Sequence, residues 1–390
     1  MFDAIPFTLD THPALRPGAR VAVGLSGGVD SSVSAHLLVR AGFHVLGITM
    51  SIWDGSVPLD DTGRSGCFGP GEARDIEAAA DLARRLGIEH HVIPLAEEYR
   101  REVLDYFRRE YLAGRTPNPC VRCNQHMKFG FLLRRSAEMG LNFDAFATGH
   151  YARTALDPDT GRWLLVRATD RDKDQTYFVS HLSQDQLSRT VFPLGGMVKR
   201  EVKALAREAG LTDLADKPES QDFMESDDYS ALFAPGEAIS GKLVDSTGQV
   251  RGEHRGIPYY TVGQRKGLGI GGAGEPLYVT GLNAERNEVR IGRKEELFSR
   301  TFVARPVHWI AFSEPPRAPL RADVKIRQRH PGAPATLTVE KDGVRVEFDE
   351  PQMSITPGQI SVFYGGNLVL GAGIIDQVQQ MPFPQSNRLP

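Results

Sequence analysis

The sequence predicts an α/β protein: a doubly wound parallel sheet, followed by a small β-rich central domain and a C-terminal β-barrel. Three observations carry this. β-type runs alternate with helical spacing over the first half, a glycine-rich turn joins the first such run to a helix, and beyond Val198–Gly210 short alternating runs dense in Gly, Pro and Asp replace long helices.

Val21–Leu25 is the first β-type run. Ser26-Gly27-Gly28-Val29-Asp30-Ser31 follows it, and Val33, Leu37 and Leu38 then mark one helical face. His44–Met50, His90–Leu95 and Asp144–Thr148 are the other β-rich runs, while Ala73–Leu86, Glu97–Leu112 and Phe129–Met139 carry helical spacing. Such alternation gives a parallel sheet with helices on both faces. Ligands of these sheets sit beyond the carboxyl ends of the strands. The glycine turn, the segment after Met50 and the pair Gly149-His150 are therefore expected to meet in one crevice. Together these elements make a first domain, 1–217. In a second, 218–290, Lys242–Val244, Tyr259–Val262, Leu277–Leu282 and Val289–Gly292 read as short strands. Ala322–Ile326, Ala335–Val339, Val344–Phe348 and Ile360–Tyr364 read as a barrel or sandwich over 291–376, and the Pro- and Gln-rich stretch 377–390 reads as a disordered tail.

Composition bounds the function. A chain of 390 residues, 41% hydrophobic and 24% charged, is expected to be a soluble protein of two or three domains. No apolar run approaches a membrane span and no signal-peptide core opens the chain, so a cytoplasmic protein without a membrane partner is expected. Three cysteines are too few for a disulfide framework. A net charge of −3 gives no global attraction for nucleic acid, so a polyanion must be held by local basic patches.

The glycine turn reads as a phosphate cradle. Glycines admit a polyanion to the backbone, and a helix N-terminus adds about half a positive charge. Neither a Walker lysine nor a Gly-x-Gly-x-x-Gly is present. Ser26-Gly27-Gly28-Val29-Asp30-Ser31 instead resembles the PP-loop of enzymes that split ATP into AMP and pyrophosphate. Met50 would then flank the adenine and Gly149 would allow close backbone approach; the plain alternatives are a core methionine and an ordinary turn.

A second informative segment is Gly114-Arg115-Thr116-Pro117-Asn118-Pro119-Cys120-Val121-Arg122-Cys123-Asn124. Two prolines predict a stiff displayed loop. Seven Lys or Arg against three acids between Arg100 and Lys128 predict lowered thiol pKa values and a surface attractive to phosphates. The arginine inside Cys120-x-x-Cys123 argues against deep burial and for reactive thiols; the alternative is a pair of buried structural thiols.

These residues, with Ala147-Thr148-Gly149-His150-Tyr151, Asp172-Lys173-Asp174-Gln175-Thr176-Tyr177, Tyr260–Leu268 and Thr356-Pro357-Gly358-Gln359, resemble the tRNA-specific 2-thiouridylases (MnmA family) over essentially the whole chain. The resemblance implies adenylation of a wobble uridine at its C2 oxygen and replacement of that oxygen by sulfur from a donor protein. It implies ATP with Mg²⁺ on Gly24, Leu25, Ser26, Gly27, Gly28, Val29, Asp30, Ser31, Met50 and Gly149, and Cys123 as nucleophile. It further implies tRNA contacts at Asn118, Pro119, Cys120, His150, Lys173, Asp174, Gln175, Arg327, Gln328 and Gln359, with no DNA partner. An aromatic residue is usual in the family where Gln328 stands.

Two departures bear on the sulfur chemistry. The family's Asn-Pro-Asp is Asn118-Pro119-Cys120 here, and its second, persulfide-bearing cysteine falls in Ser220-Gln221-Asp222-Phe223-Met224, which holds none. Three accounts stay open. Cys120 or Cys67 acts as the partner thiol; Cys67, Cys120 and Cys123 hold a [4Fe-4S] cluster whose unligated iron carries sulfide; or the thiols and His126 bind zinc. Two other function classes are a PP-loop amidotransferase-type ligase, which needs no thiol in its acceptor crevice, and a non-catalytic tRNA-binding protein, which needs neither Asp30 nor Ser31.

Overall fold

The computed structural model describes residues 12–61, 63, 66–216, 222–226, 228–270 and 275–380. Internal packing resolves the chain into two units. Unit one comprises Met1–Leu104, Pro119–Ala231 and Gly366–Leu370; unit two comprises Asp105–Asn118, Leu232–Gly365 and Gly371–Pro390.

Unit one is built on β1 (Arg20–Gly24), β2 (His44–Ser51), β3 (Gly66–Phe68), β4 (Glu89–Pro94), β5 (Ala145–Ala147), β6 (Ala152–Leu156), β7 (Trp163–Arg167), β8 (Thr190–Val191) and β9 (Asp222–Met224). Five of these form the main sheet in the order β4-β2-β1-β5-β8, parallel throughout. Central β1 pairs Val21 with Val45 on one side and with Ala145 on the other. Val21, Ala22 and Val23 are all fully buried, as a parallel strand covered on both faces requires. Helix Val29–Arg40 packs Val33, Ala35 and Leu38 onto this sheet, and Ala79, Leu82 and Ala83 come from helix Glu72–Leu86. The chain winds away from β1 first toward β2 and β4, then toward β5 and β8. The switch point thus lies between β1 and β5, where such sheets open a ligand crevice.

Two sequence-derived helices are more elaborate than expected. Glu97–Leu112 consists of Ala96–Tyr99, a π-helical turn Arg100–Leu104 and Asp105–Leu112. The stiff loop expected through Cys123 ends at Asn118: Pro119–Arg122 is already helical and a nine-residue π-helix, Cys123–Phe131, continues it into Leu132–Glu138. Proline is well tolerated in the first helical turn, where its missing N–H costs no bond. β3 and β9, far apart in sequence, form a separate parallel pair. Among the described residues no helix is long and apolar enough to cross a membrane.

Unit two holds a four-stranded sheet, β10 (Gly241–Val244), β11 (Val250–His254), β12 (Tyr278–Asn283) and β13 (Glu288–Gly292), in the order β11-β10-β13-β12. Leu243, Val279, Val289 and Ile291 form its core with Ile257 and Tyr260. The strand expected over Tyr259–Val262 is replaced by a 3₁₀ turn, Ile257–Tyr259, with Pro258 in its first positions. The rest is a closed barrel of β14 (Phe298–Trp309), β15 (Leu320–Lys325), β16 (Ala333–Glu340), β17 (Gly343–Met353), β18 (Ile360–Gly365) and β19 (Leu368–Gln380, of which the part from Gly371 belongs to this unit), in the order β14-β17-β16-β15-β18-β19 with β19 returning to β14. Closure removes the unpaired edges that an open sheet exposes. The tail expectation needs correction at its start, since Gln377–Gln380 belong to β19 and pair along Ser299–Val303; positions 381–390 lie outside the described residues.

Candidate active site

A cavity of about 340 Å³ opens in unit one at the carboxyl ends of β1, β2 and β5. Its floor is the glycine turn. Ser31 Oγ ties that turn together, accepting from the Ser26 N–H at 3.2 Å, donating to the Gly28 carbonyl at 3.1 Å and lying 3.3 Å from Ser26 Oγ. Gly27 has φ +67°, and a Cβ there would sit 2.7 Å from the Asp75 carbonyl oxygen. Gly28 differs: a Cβ would meet only Ser26 Oγ, at 3.6 Å, so the protein leaves that space open at the start of helix Val29–Arg40. An open cradle edged by two hydroxyls and the first N–H groups of a helix fits a polyphosphate. Ile48, Met50 and Ile52 supply an apolar flank beside it.

Gly149 lies where expected, but its tight approach is to the loop itself. A Cβ there would fall 2.7 Å from both Asp30 C and Ser31 N. Asp30 is held by two groups that sequence reasoning missed. Lys199 Nζ donates to both of its carboxylate oxygens at 2.7 and 2.8 Å, and Tyr151 OH donates at 3.0 Å. Tyr151 was visible only as part of a longer motif; Lys199 carried no local signal, since it begins a helix 169 positions downstream.

The opposite wall carries sulfur. Cys67 and Cys123 both line the cavity, together with Lys128. Cys67 is exposed, Cys120 half-buried and Cys123 buried, so the expectation that Cys123 avoids burial fails. The π-helix turns its thiol inward. Burial pushes that thiol up to about 12, with Lys128 opposing and Cys67 adding to the rise. The general basicity of the segment does not act as expected either, because most of its arginines are in ion pairs. Arg100 pairs with Asp54, Arg101 and Arg122 with Glu102, Arg108 with Glu237, and Arg115 with Glu110 and Asp376.

Several residues matched to tRNA contact have partners within the protein. His150 lines the cavity, shares a 2.8 Å hydrogen bond with Thr148 Oγ1, and is driven down to about 3 by burial, with Lys128 adding, so its ring is neutral. Asp174 is buried and accepts from the Ala168 N–H and Thr176 Oγ1, which commits its carboxylate to its own loop. Gln175 lines the cavity and accepts from the Tyr151 N–H at 2.8 Å; Lys173 is half-buried. In unit two, Gln359 donates to the carbonyls of Thr116 and Pro117 at 3.1 and 3.3 Å and so supports the proline loop that ends at Asn118. Arg327 donates to the Met353 carbonyl, while the buried Gln328 Oε1 has no partner among the described residues.

Residues 19–224 match the tRNA methyl transferase HUP domain, 234–293 the tRNA methyl transferase PRC-barrel domain and 299–375 the aminomethyltransferase beta-barrel domain. The tRNA-specific 2-thiouridylase MnmA of Endomicrobium trichonymphae is 46% identical over 359 residues, covering 91% of this chain and 98% of its own. Those of Carboxydothermus hydrogenoformans and Nostoc punctiforme are each 44% identical, covering 92% of this chain and 98% and 99% of theirs. The chain belongs to the tRNA-specific 2-thiouridylase MnmA family. For this MnmA-family chain the resemblance led to an expected second cysteine within Ser220–Met224. Met224, at the place matched to the second cysteine, is the strand partner of Phe68, next to Cys67; Ser220 and Gln221 lie outside the described residues. Among the described residues no three His, Cys, Asp or Glu side chains are arranged to hold a metal ion. The arrangement of the described residues in this MnmA homologue thus does not fit the cluster and zinc accounts.

Proposed function

We propose that this chain carries out ATP-dependent 2-thiolation of the wobble uridine of tRNA, with Cys67 as the partner thiol of Cys123. The observation that carries the reading is that the phosphate cradle, Cys67 and Cys123 all line one cavity, whereas Cys120 does not line it. In this reading residues 1–217 carry the chemistry, and 218–290 and 291–376 hold the tRNA.

The uridine C2 oxygen attacks the α-phosphorus of ATP, an O–P bond forms, and pyrophosphate leaves from the cradle of Ser26, Gly28 and Ser31. Mg²⁺ would accompany the phosphates, with the Ser26 and Ser31 hydroxyls as hard oxygen donors able to hold it, and would neutralise their charge. Adenylation converts a poor leaving group into AMP. A sulfur-donor protein supplies a persulfide on Cys67, the more exposed thiol. Its terminal sulfur attacks C2, a C–S bond forms, and AMP departs with the former C2 oxygen. The Cys123 thiolate then attacks the Cys67 sulfur, releasing thiouridine and leaving a Cys67–Cys123 disulfide. A dithiol reductant returns both thiols with two electrons and two protons. Access of a uridine to buried Cys123 requires the base to leave its stack.

The test is thiouridine formation by mass spectrometry in Cys67→Ser, Cys120→Ser and Cys123→Ser, with iron analysis of each. Loss of product in the first and third, retention in the second, and a trapped Cys67–Cys123 disulfide are expected. Full activity of Cys67→Ser would move the partner role to Cys120, and full activity of Cys123→Ser would remove sulfur transfer from this cavity.

A further inference from the structure

Cys123 opens the π-helix and Lys128 stands five residues on within it. A π-helix repeats its hydrogen bonds from i to i+5, so its wider turn brings residue i+5 back toward the face of residue i, where an α-helix would turn it away. Both side chains accordingly line the cavity. Lys128 has no carboxylate partner among the described residues, unlike Arg100, Arg101, Arg108, Arg115 and Arg122 in the same basic stretch. The groups that favour its charge are Cys123, Cys67 and Cys120, and it in turn disfavours a charge on His150.

We propose that Lys128 is the counter-ion of the sulfur nucleophile, a positioning residue whose ammonium stabilises the buried Cys123 thiolate. This rests on the reading that Cys123 is the nucleophile.

Other charges on the site do not take this role. His150, facing the cavity from the end of β5, is neutral, and Tyr99 behind the thiols is held protonated by burial and by Cys123, Cys67 and Cys120. Glu72, Asp75 and Asp30 line the cavity as acids, and Asp30 is already satisfied by Lys199 and Tyr151. Burial pulls the Lys128 ammonium down, but the three thiols outweigh it and leave it above the ordinary lysine value. The same attraction opposes the rise of Cys123. A desolvated ammonium without a carboxylate costs stability. Replacing Lys128 by methionine, a side chain of similar length, should therefore leave the fold at least as stable while weakening the chemistry.

The experiment follows iodoacetamide labelling of Cys123 against pH, resolved by peptide mass spectrometry, in wild type, Lys128→Met, Lys128→Gln and Lys128→Arg, with thermal melts of each. Lys128→Met and Lys128→Gln should melt no lower than wild type, slow Cys123 labelling at pH 8 by about tenfold or more, and move its profile up by about one pH unit or more. Lys128→Arg, which keeps the charge, should recover most of the rate. An unchanged Cys123 profile in a folded Lys128→Met or Lys128→Gln overturns the proposal, and does so equally if ATP affinity falls, since Lys128 would then be a phosphate ligand. Labelling needs neither ATP nor tRNA, so failure here is distinct from failure of the thiolation reading, which the Cys123→Ser product assay tests.

Discussion

Lys199 clamps Asp30. Its ammonium donates to both carboxylate oxygens at 2.7 and 2.8 Å, and its own N–H is anchored to Asp170 at 2.8 Å. The acid of the glycine turn is thus fixed by the first residue of a remote helix. Lys199→Met should cost about 1.5–3 kcal/mol, the usual value of charge-assisted hydrogen bonds. It should also lower tRNA-dependent pyrophosphate release by about tenfold or more, because Asp30 loses its orientation beside the cradle. Chemical denaturation and a pyrophosphate assay check the two effects, and full pyrophosphate release by a folded variant would show that the clamp is structural only.

The two adjacent glycines of the turn should fail differently. Gly27→Ala combines a positive φ with a 2.7 Å clash against the Asp75 backbone and should lose about 1–3 kcal/mol of stability. Gly28→Ala meets no backbone and has φ −105°, so melting should be unchanged while ATP binding weakens sharply. Calorimetry of ATP binding beside thermal melts separates these outcomes.

Ser31→Ala removes the hydroxyl that links Ser26 N–H to the Gly28 carbonyl. ATP turnover should fall while tRNA affinity stays close to wild type. Unaltered adenylation of tRNA by this variant would contradict the phosphate role of the turn.

Affinity for tRNA should fall steeply with salt if phosphates are neutralised by basic side chains. Charge reversal at Lys173 or Arg327 should each reduce the slope of log K against log salt by about one. Filter binding over a salt series provides the measurement; a salt-insensitive association would count against an RNA backbone at these positions.

His150 makes stability depend on acid pH. Burial lowers its folded pKa to about 3 from an ordinary 6.5, so its contribution is intact above 6.5 and is lost as pH falls from 6.5 toward 3. His12, lowered to about 4 mainly by burial, adds in the same direction. His150→Gln should flatten, without abolishing, the decline in urea midpoints between pH 7 and pH 4.

The parallel sheet was legible because buried strands such as Val21-Ala22-Val23 and the helix spacing after Ser31 are local signals. The convergence of Gly28, Met50 and Gly149 followed from a topological rule. The fate of Cys123 was not legible. Pro119 and Arg122 suggested an exposed loop, but proline is welcome in a first helical turn, and Arg122 turns to Glu102 at 2.8 Å while the π-helix buries the thiol. Lys199 was missed because its partner, Asp30, is set by a tertiary contact that no spacing records.

The pairing of β3 with β9 also sets a timetable. The Gly71 N–H donates to the Glu225 carboxylate across 154 positions, so docking the cysteine strand closes a loop whose entropy cost is roughly 4–5 kcal/mol. At roughly 5–20 residues per second, the ribosome delivers Glu225 about 8–30 s after Gly71. Strands β1, β2, β4 and β5 can pair in that interval. Chain delivery thus lets the nucleotide side of the cavity assemble before the strand bearing Cys67 has its partner, and the sulfur wall can be finished only after its last segment has been made.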